Sequence, residues 1–386
     1  MAVIDGVVRV LSLATMVVQT VACPTTICTC SARGTVICSG KRLERIPYFA
    51  REPGRVYNEI DLGRNEIFAV PPYAFDGVKA RSLVLAYNPL IGVSPRAFAG
   101  LGNVLERVDV SNCQLPVLHW AVFRHLARLA DINLARNSLF AIPRGLFVGL
   151  SAVRNLTLSG NRLSTLRGAV FAGLHNLRRL DLSHNAIALI EPGTFEACRR
   201  LTTLDLSHNR LRRVDTYAFR GLENLQHLSL ASNELTDMDP DVFFAVRALV
   251  ELNLSSNNLT IIGPRQFTGS PRLERIDLAK NSIWNMSLDS LDGLADLRSI
   301  HLDRNRLRTL DTCLVAGLRG HVELSVTGNP VLCSCDDGRW VIEGGSSTTL
   351  VGECWDPPAL RGLPLALFNT TSCPPPGNKD NRCRQN

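Results

Sequence analysis

His184 and His208 stand 24 residues apart in identical Ser-His-Asn triplets, each three residues after an aspartate, Asp181 and Asp205. Expected side by side on neighbouring strands about 5 Å apart, these two imidazoles and two carboxylates could hold a divalent metal ion or form a pH-responsive patch. The competing reading is that Ser-His-Asn is an ordinary variant of a repeated unit with no chemistry of its own, and no metal ligand is assigned. Arginine forms a second cluster. Residues 154–213 hold ten arginines against four acids, in a chain of net charge +7. Arg154, Arg178, Arg179, Arg199 and Arg200 each fall just before a short apolar segment and are expected to line one edge of the molecule. Such an edge could grip sulfate or carboxylate groups bidentately, or it could be a solvated face of an arginine-rich chain. Nucleic acid is not expected as a partner, because no stacking aromatics accompany these basic residues. Five sequons, at Asn155, Asn253, Asn258, Asn285 and Asn369, are acceptors for N-linked glycans on a secreted protein. No Gly-rich phosphate loop, Gly-x-Ser-x-Gly elbow or metal-ligand cluster of diagnostic spacing occurs, so neither an enzyme nor a cofactor is expected.

The elements that position these groups follow from a strict internal period. One segment reads Leu177-x-x-Leu180-x-Leu182-x-x-Asn185-x-Ile187, the next Leu201-x-x-Leu204-x-Leu206-x-x-Asn209-x-Leu211. The same frame places a ladder residue at Asn65, Asn88, Cys113, Asn137, Asn161, Asn185, Asn209, Asn233, Asn257, Asn281, Asn305 and Asn329. From Cys113 onward every step is 24 residues, after steps of 23 and 25. Within Leu-x-Leu the leucines point inward from a short strand and their neighbours outward. A buried Asn at the following turn can satisfy backbone groups that would otherwise cost about 1–3 kcal/mol each. Cys113 is then a ladder residue and a buried thiol. Ten residues after each ladder position runs a second row, Phe75, Phe98, Phe123, Phe147, Phe171, Phe195, Phe219, Phe243 and Phe267, closing with Leu291 and Val315. This row fills the convex side, and its bulk against the narrow strands forces curvature. The expected fold is an α/β repeat solenoid, a horseshoe with a parallel concave sheet of about 11 repeats over residues 48–328.

Twelve cysteines, most of them near the two ends, point to disulfide-stapled ends in an oxidising compartment. The N-terminal block reads Cys23-Pro24-x-x-x-Cys28-x-Cys30-x7-Cys38, and the C-terminal block Asn329-Pro330-x-x-Cys333-x-Cys335 followed by Trp340, Cys354 and Cys373. Both blocks resemble the cysteine-flanked caps of extracellular leucine-rich-repeat proteins, the class of Slit, the Nogo receptor, Toll-type ectodomains and variable lymphocyte receptors. The likeness spans residues 23–373, and it is not to the small leucine-rich proteoglycans. It implies caps over 23–47 and 329–373, and the pairings Cys23–Cys30, Cys28–Cys38, Cys333–Cys354 and Cys335–Cys373. Val331 stands where the class has Trp, and the Cys335-to-Cys354 interval is short, so the C-terminal cap around Trp340 is expected to be truncated. Cys313 and Cys383 either bond to each other, strapping the polar tail 374–386, or leave Cys383 to bond a second molecule.

Residues 1–22 read as a secretory signal peptide, with an apolar run from Val10 to Val18 and small residues up to Ala22. No later segment is apolar enough to span a bilayer, and the tail lacks a lipid-anchor signal. The expectation is a secreted chain in the extracellular space, associated with matrix in one reading. Its function is then recognition of an extracellular protein ligand or receptor through the concave face. The alternative is a matrix or assembly role that engages sulfated glycosaminoglycan. On the concave face a central row runs through Asp61, Val84, Asp109, Asn133, Thr157, Asp181, Asp205, Ser229, Asn253, Asp277, His301 and Ser325. Glycans at Asn155 and Asn253 would leave two windows there, one from Glu59 to Arg136 and one holding Arg179, Asp181, His184, Asp205, His208 and His227.

Overall fold

The computed structural model describes residues 23–309, 314, 318, 321–334 and 348–371, with side chains of the last stretch through residue 368. The signal segment, Cys313, Val315, Cys335, Trp340, Cys373, Cys383, the tail and the side chain of Asn369 lie outside the described residues. So do the pairings Cys335–Cys373 and Cys313–Cys383.

Each Leu-x-Leu becomes a strand because its two inward residues are apolar and its outward one is not. Among the described residues fifteen such strands form one sheet in chain order. The first two, Thr29–Cys30 and Thr35–Ile37, pair antiparallel, and every later pair is parallel. The register never slips: Arg179, Leu180 and Asp181 face Thr203, Leu204 and Asp205, which in turn face His227, Leu228 and Ser229. Leu180, Leu204 and Leu228 are buried while their flanking residues reach the concave surface. The result is a leucine-rich-repeat horseshoe built around one continuous core.

The ladder asparagines hold the turns together. Asn209 Nδ2 donates to the carbonyls of Leu182 (3.0 Å), Leu206 (2.9 Å) and Ser207 (3.1 Å), and its Oδ1 accepts from the Ile187 N–H at 3.0 Å. One side chain thus satisfies four backbone groups in two successive repeats, each of which would cost about 1–3 kcal/mol if left bare. Cys113 occupies the same place, buried, with Sγ 3.5 Å from the Leu85 carbonyl and 3.4 Å from that of Ser111.

On the convex side the phenylalanines stack in the core, with Phe147, Phe171 and Phe195 at centroid spacings of 6.1 and 5.7 Å. Leu291 closes the described part of this row as a buried residue. The irregular second step is absorbed here. Ordinary repeats turn with a bond such as Leu177 N–H to Leu174 O, three residues back. The 25-residue repeat closes the corresponding turn from Leu105 N–H to Leu101 O, four residues back. The strand Arg107–Asp109 therefore keeps its register with Ala80–Val84.

Disulfides close the ends. Cys23 is bonded to Cys30 and Cys28 to Cys38, and Cys333 to Cys354. Val331 is buried, its carbonyl accepts the Trp355 N–H at 2.9 Å, and the Cys333 N–H donates to Asp356 O at 2.7 Å. Cys113 and Cys198 are unbonded and buried.

Candidate functional site

Outward strand positions one repeat apart sit side by side, so any cluster on the concave face is assembled from residues 24 apart in sequence. One such cluster lies on the strands Thr203–Asp205, His227–Ser229, Glu251–Asn253, Arg275–Asp277 and Ser299–His301. Together they line an open groove of about 350 Å³. His227 Nδ1 lies 2.9 Å from Glu251 Oε2, and the other carboxylate oxygen of Glu251 is ion-paired with Arg275. All three side chains remain partly exposed, so the chain His227–Glu251–Arg275 is an ordered polar surface that a ligand can reach. Asp205, Asp277 and His301 complete the walls, and His301 Nδ1 stands 3.8 Å from Asp303.

Several residues singled out in the sequence take other places than expected. His184 and His208 do not lie on strands. Each sits in the turn that follows one, in left-handed backbone with φ of 53° and 54°. Their rings stack at 4.1 Å with planes 7° apart, which presents a flat aromatic pair rather than converging ligand nitrogens. Asp181 and Asp205 are partly committed to the turns as well, because their Oδ1 atoms accept the N–H of Ser183 (3.0 Å) and Ser207 (2.8 Å). The same bond recurs at Asp61, Asp109, Asn133, Asn253 and Asp277. Seven of the twelve residues of the central concave row, five Asp and two Asn, therefore cap strand exits through Oδ1, which leaves the other carboxylate oxygen of the aspartates and the amide nitrogen of the asparagines for a ligand. No group of three or more His, Cys, Asp or Glu residues placed to hold a metal occurs among the described residues.

The five arginines of the basic edge are all exposed, but they fall into separate columns. Arg154 and Arg178 are successive members of one column, joined by the Arg178 N–H to Arg154 O bond at 2.8 Å. Arg179 lies beside them on its strand. Arg199 and Arg200 precede their strand by several residues, and Arg200 donates to Asn176 at 2.7 Å. Of the sequon asparagines, Asn155 donates to Asp131 across the sheet. Asn253 stands inside the groove, with Oδ1 accepting from Ser255 Oγ at 2.7 Å. Asn258 and Asn285 are exposed on the flank that follows the sheet.

The sequence signal for the groove was available but faint. Glu251 and Arg275 sit in the outward frame with no unusual residue type to mark them, and only strand register pairs them. A second concave hollow of about 360 Å³ near the N-terminal end carries Arg33, Arg81 and Arg107 with Glu59 and Glu106. There Arg81 pairs with Glu106 at 2.9 Å.

A curved parallel solenoid with an Asn ladder, disulfide-bonded ends and an open concave face defines a capped leucine-rich-repeat fold. The leucine rich repeat family model matches residues 103–163, 151–211, 199–259 and 247–307, more than half of the chain, and the chain belongs to that family. A search of curated protein sequences gave no match. Among solved structures, the chain is similar to Drosophila Toll in the Toll–Spatzle complex, with 21% identity and a TM-score of 0.59 over 80% of this chain. It is similar to mouse RP105 in the RP105/MD-1 complex, with 21% identity and a TM-score of 0.63 over 80% of this chain. A leucine-rich-repeat protein of Leptospira interrogans matches with 24% identity and a TM-score of 0.61, over 76% of this chain and 72% of that one. The chain spans just over half of the Toll and RP105-complex chains, 54% and 57%. At these identities the likeness is one of fold. No helix among the described residues is long and apolar enough to cross a membrane.

Proposed function

We propose that this chain is an extracellular binding module that holds a protein ligand on its concave face, centred on the groove of His227, Glu251 and Arg275. The carrying observation is that ordered, partly exposed three-residue chain, flanked by the outer oxygens of Asp205 and Asp277. Polar groups held in place by their neighbours lose little freedom on binding, which favours a specific partner. Arg179, Asp181, His184 and His208 form the approach to the groove from the N-terminal side. The reading is of binding and not catalysis, since the groove is open to water along its length. It includes a signal peptide over 1–22, caps over 23–47 and 329–373, and a secreted chain. Solved neighbours bound to protein ligands, Toll with Spatzle and RP105 with MD-1, support a protein partner here too.

The test is a binding screen of the secreted, multimerised protein against a library of extracellular proteins, each saturable hit repeated with Arg275→Glu and Glu251→Lys. Loss of binding by about tenfold or more in both variants is expected. Hits that ignore both changes would refute the groove. Glycopeptide mass spectrometry belongs to the same test, because carbohydrate on Asn253 would fill the groove and end this reading.

A second reading has one observation in its favour. Arg154, Arg178, Arg179 and Arg199 are exposed and carry no ion-pair partner among the described residues. They are therefore available to sulfated glycosaminoglycan, as a matrix-bound protein would need. Elution from heparin at or below physiological salt would dispose of it.

A further inference from the structure

The flank of the horseshoe reached just after each ladder residue is polar over much of its length, but not at its N-terminal end. There Phe68, Ile91, Val117 and Phe140 project from four consecutive repeats with 47, 59, 48 and 57% of their surface exposed. Phe68 and Ile91 are neighbours through the Ile91 N–H to Phe68 O bond, and the Phe140 N–H donates to Pro116 O, so exposed Pro116 holds the place in the column between Ile91 and Phe140, with Val117 beside it. At one inter-strand spacing per repeat it is about 15 Å long, the reach of about five residues of extended chain. The same column farther on reads Ser164, Ala188, Arg212 and Thr236, and exposed Leu189 beside Ala188 stands there without apolar neighbours in the adjoining repeats. Scattered exposed apolar residues need no explanation, but a contiguous row marks a contact surface.

Two features say what covers it. The turn residues bordering the ridge are Arg64, Tyr87, Asn112 and Arg136, with Arg64 over the Tyr87 ring at 5.5 Å; in the next repeat the turn residue is Gly160, and exposed Arg162 stands just past the ladder residue. Glu44 and Glu66 are the acids nearby, against exposed Arg42, Arg45, Arg64 and Arg136, so cations are in excess, and Arg64 and Arg136 carry no ion-pair partner among the described residues. The polar tail carries Lys379, Arg382 and Arg384 against Asp380, the wrong charge for this border. The sequons supply the second feature. Asn258 and Asn285 lie on this same flank at the other end, beside exposed Ile261 and Trp284, whereas residues 23–154 contain none. Carbohydrate can shield the C-terminal apolar residues and cannot shield the N-terminal ridge.

We propose that the flank formed by Phe68, Ile91, Val117 and Phe140 is a second docking surface, separate from the concave groove, for an extended protein segment carrying apolar side chains interspersed with carboxylates. The full secreted chain would be titrated into three fluorescent synthetic peptides that share the same apolar residues and differ in having acidic, neutral or basic spacers. Saturable binding of the acidic peptide is expected. It should fall by about tenfold or more with Phe68→Ser plus Phe140→Ser, and with Arg64→Gln plus Arg136→Gln. Arg275→Glu in the concave groove should leave it unchanged, which separates this surface from the groove. All four flank residues are exposed, so the variants keep the core intact, and circular dichroism checks that they do. Absence of binding, equal binding of all three peptides, or binding untouched by the flank variants would overturn the proposal. So would concentration-dependent self-association abolished by the same variants, since the occupant would then be a second copy.

Discussion

Cys198 takes the position that Leu174 and Leu222 fill in neighbouring repeats, wholly inside the core. Burial pushes its thiol from 9.0 up to about 12. Cys113 is raised by the same cause, opposed by the backbone N–H groups of Asn88 and Leu90 that face its sulfur. Tyr57 is raised from 10.0 to about 12 by burial first, then by its hydrogen bond to Glu52 at 2.8 Å and that carboxylate's charge, with Arg55 opposing. In each case the neutral form is held in the folded state and the unfolded chain ionises earlier. Stability from these groups is therefore fully present below about pH 9. It is lost as pH rises through each folded value, from about 9 to 12 for Cys198 and from about 10 to 12 for Tyr57, with Cys113 adding to the fall in the same direction. For Cys198 the slope approaches about 1.4 kcal/mol per pH unit in that window. Thermal midpoints measured between about pH 8 and 10.5 should be flat and then fall, and Cys198→Val should make the fall shallower. An unchanged slope in the variant would mean that burial of this thiol does not govern the alkaline limb. Both positions were legible as core from the frame alone, Cys113 from the ladder and Cys198 from the leucines that fill its place at 174 and 222.

At the scale of the element, the 24-residue period made the strands, the Asn ladder and the phenylalanine row readable, since each depends on inward-facing residue type. The turn residue before each ladder position was not readable in the same way. Arg64, Tyr87, Arg136, His184, His208, Lys280 and Arg304 all take left-handed backbone there without glycine. What supports that conformation is tertiary: the His184 N–H donates to Ser207 O in the next repeat, and the His208 N–H to Ala231 O. A single repeat read alone puts both histidines on strands, and only the stacked neighbour reveals the turn. The Asp and Asn side chains that cap the strand exits were likewise read as ligand-facing, because the bond to the residue two ahead leaves no trace in composition. A glycine column on the convex side gives the sharpest test of repeat-to-repeat packing. Gly149 and Gly173 occupy equivalent places with φ of 88° and 102°. A Cβ at Gly149 would meet nothing within 4 Å, whereas one at Gly173 would lie 2.4 Å from Phe147 O. Gly149→Ala should cost about 1–2 kcal/mol for the left-handed backbone alone, and Gly173→Ala clearly more, because the Phe147–Phe171 stack must also part. Equal losses in chemical denaturation would show that the repeats pack more loosely than these contacts imply.

Across the whole molecule, each repeat touches only its neighbours, so stability is close to a chain of nearest-neighbour terms and the ends are where it fails first. The concave groove follows the same logic. It needs five strands in register, and its charge pattern of His227, Glu251 and Arg275 emerges only when positions 24 apart are laid side by side, which is why the sequence pointed to a neighbouring set centred on His184 and His208. At the C-terminal end the Cys333–Cys354 bridge closes 21 residues and ties Asp356 against Cys333 and Trp355 against Val331. Closing a loop of that size is worth about 3 kcal/mol through the unfolded chain. In a compact domain that loss would lower protection everywhere. Here, replacing both cysteines with serine should raise hydrogen exchange in the strands Ser299–His301 and Val322–Ser325 while Asp131–Asn133 through Thr203–Asp205 keep their protection. A uniform rise along all strands would show that the solenoid opens as one cooperative unit. Protection confined to the middle would mean that the concave groove, whose five strands lie one to five places from Val322–Ser325 at the unstapled end, depends on the cap for its shape, and that ligand affinity there falls with the disulfide although no cap residue touches the ligand.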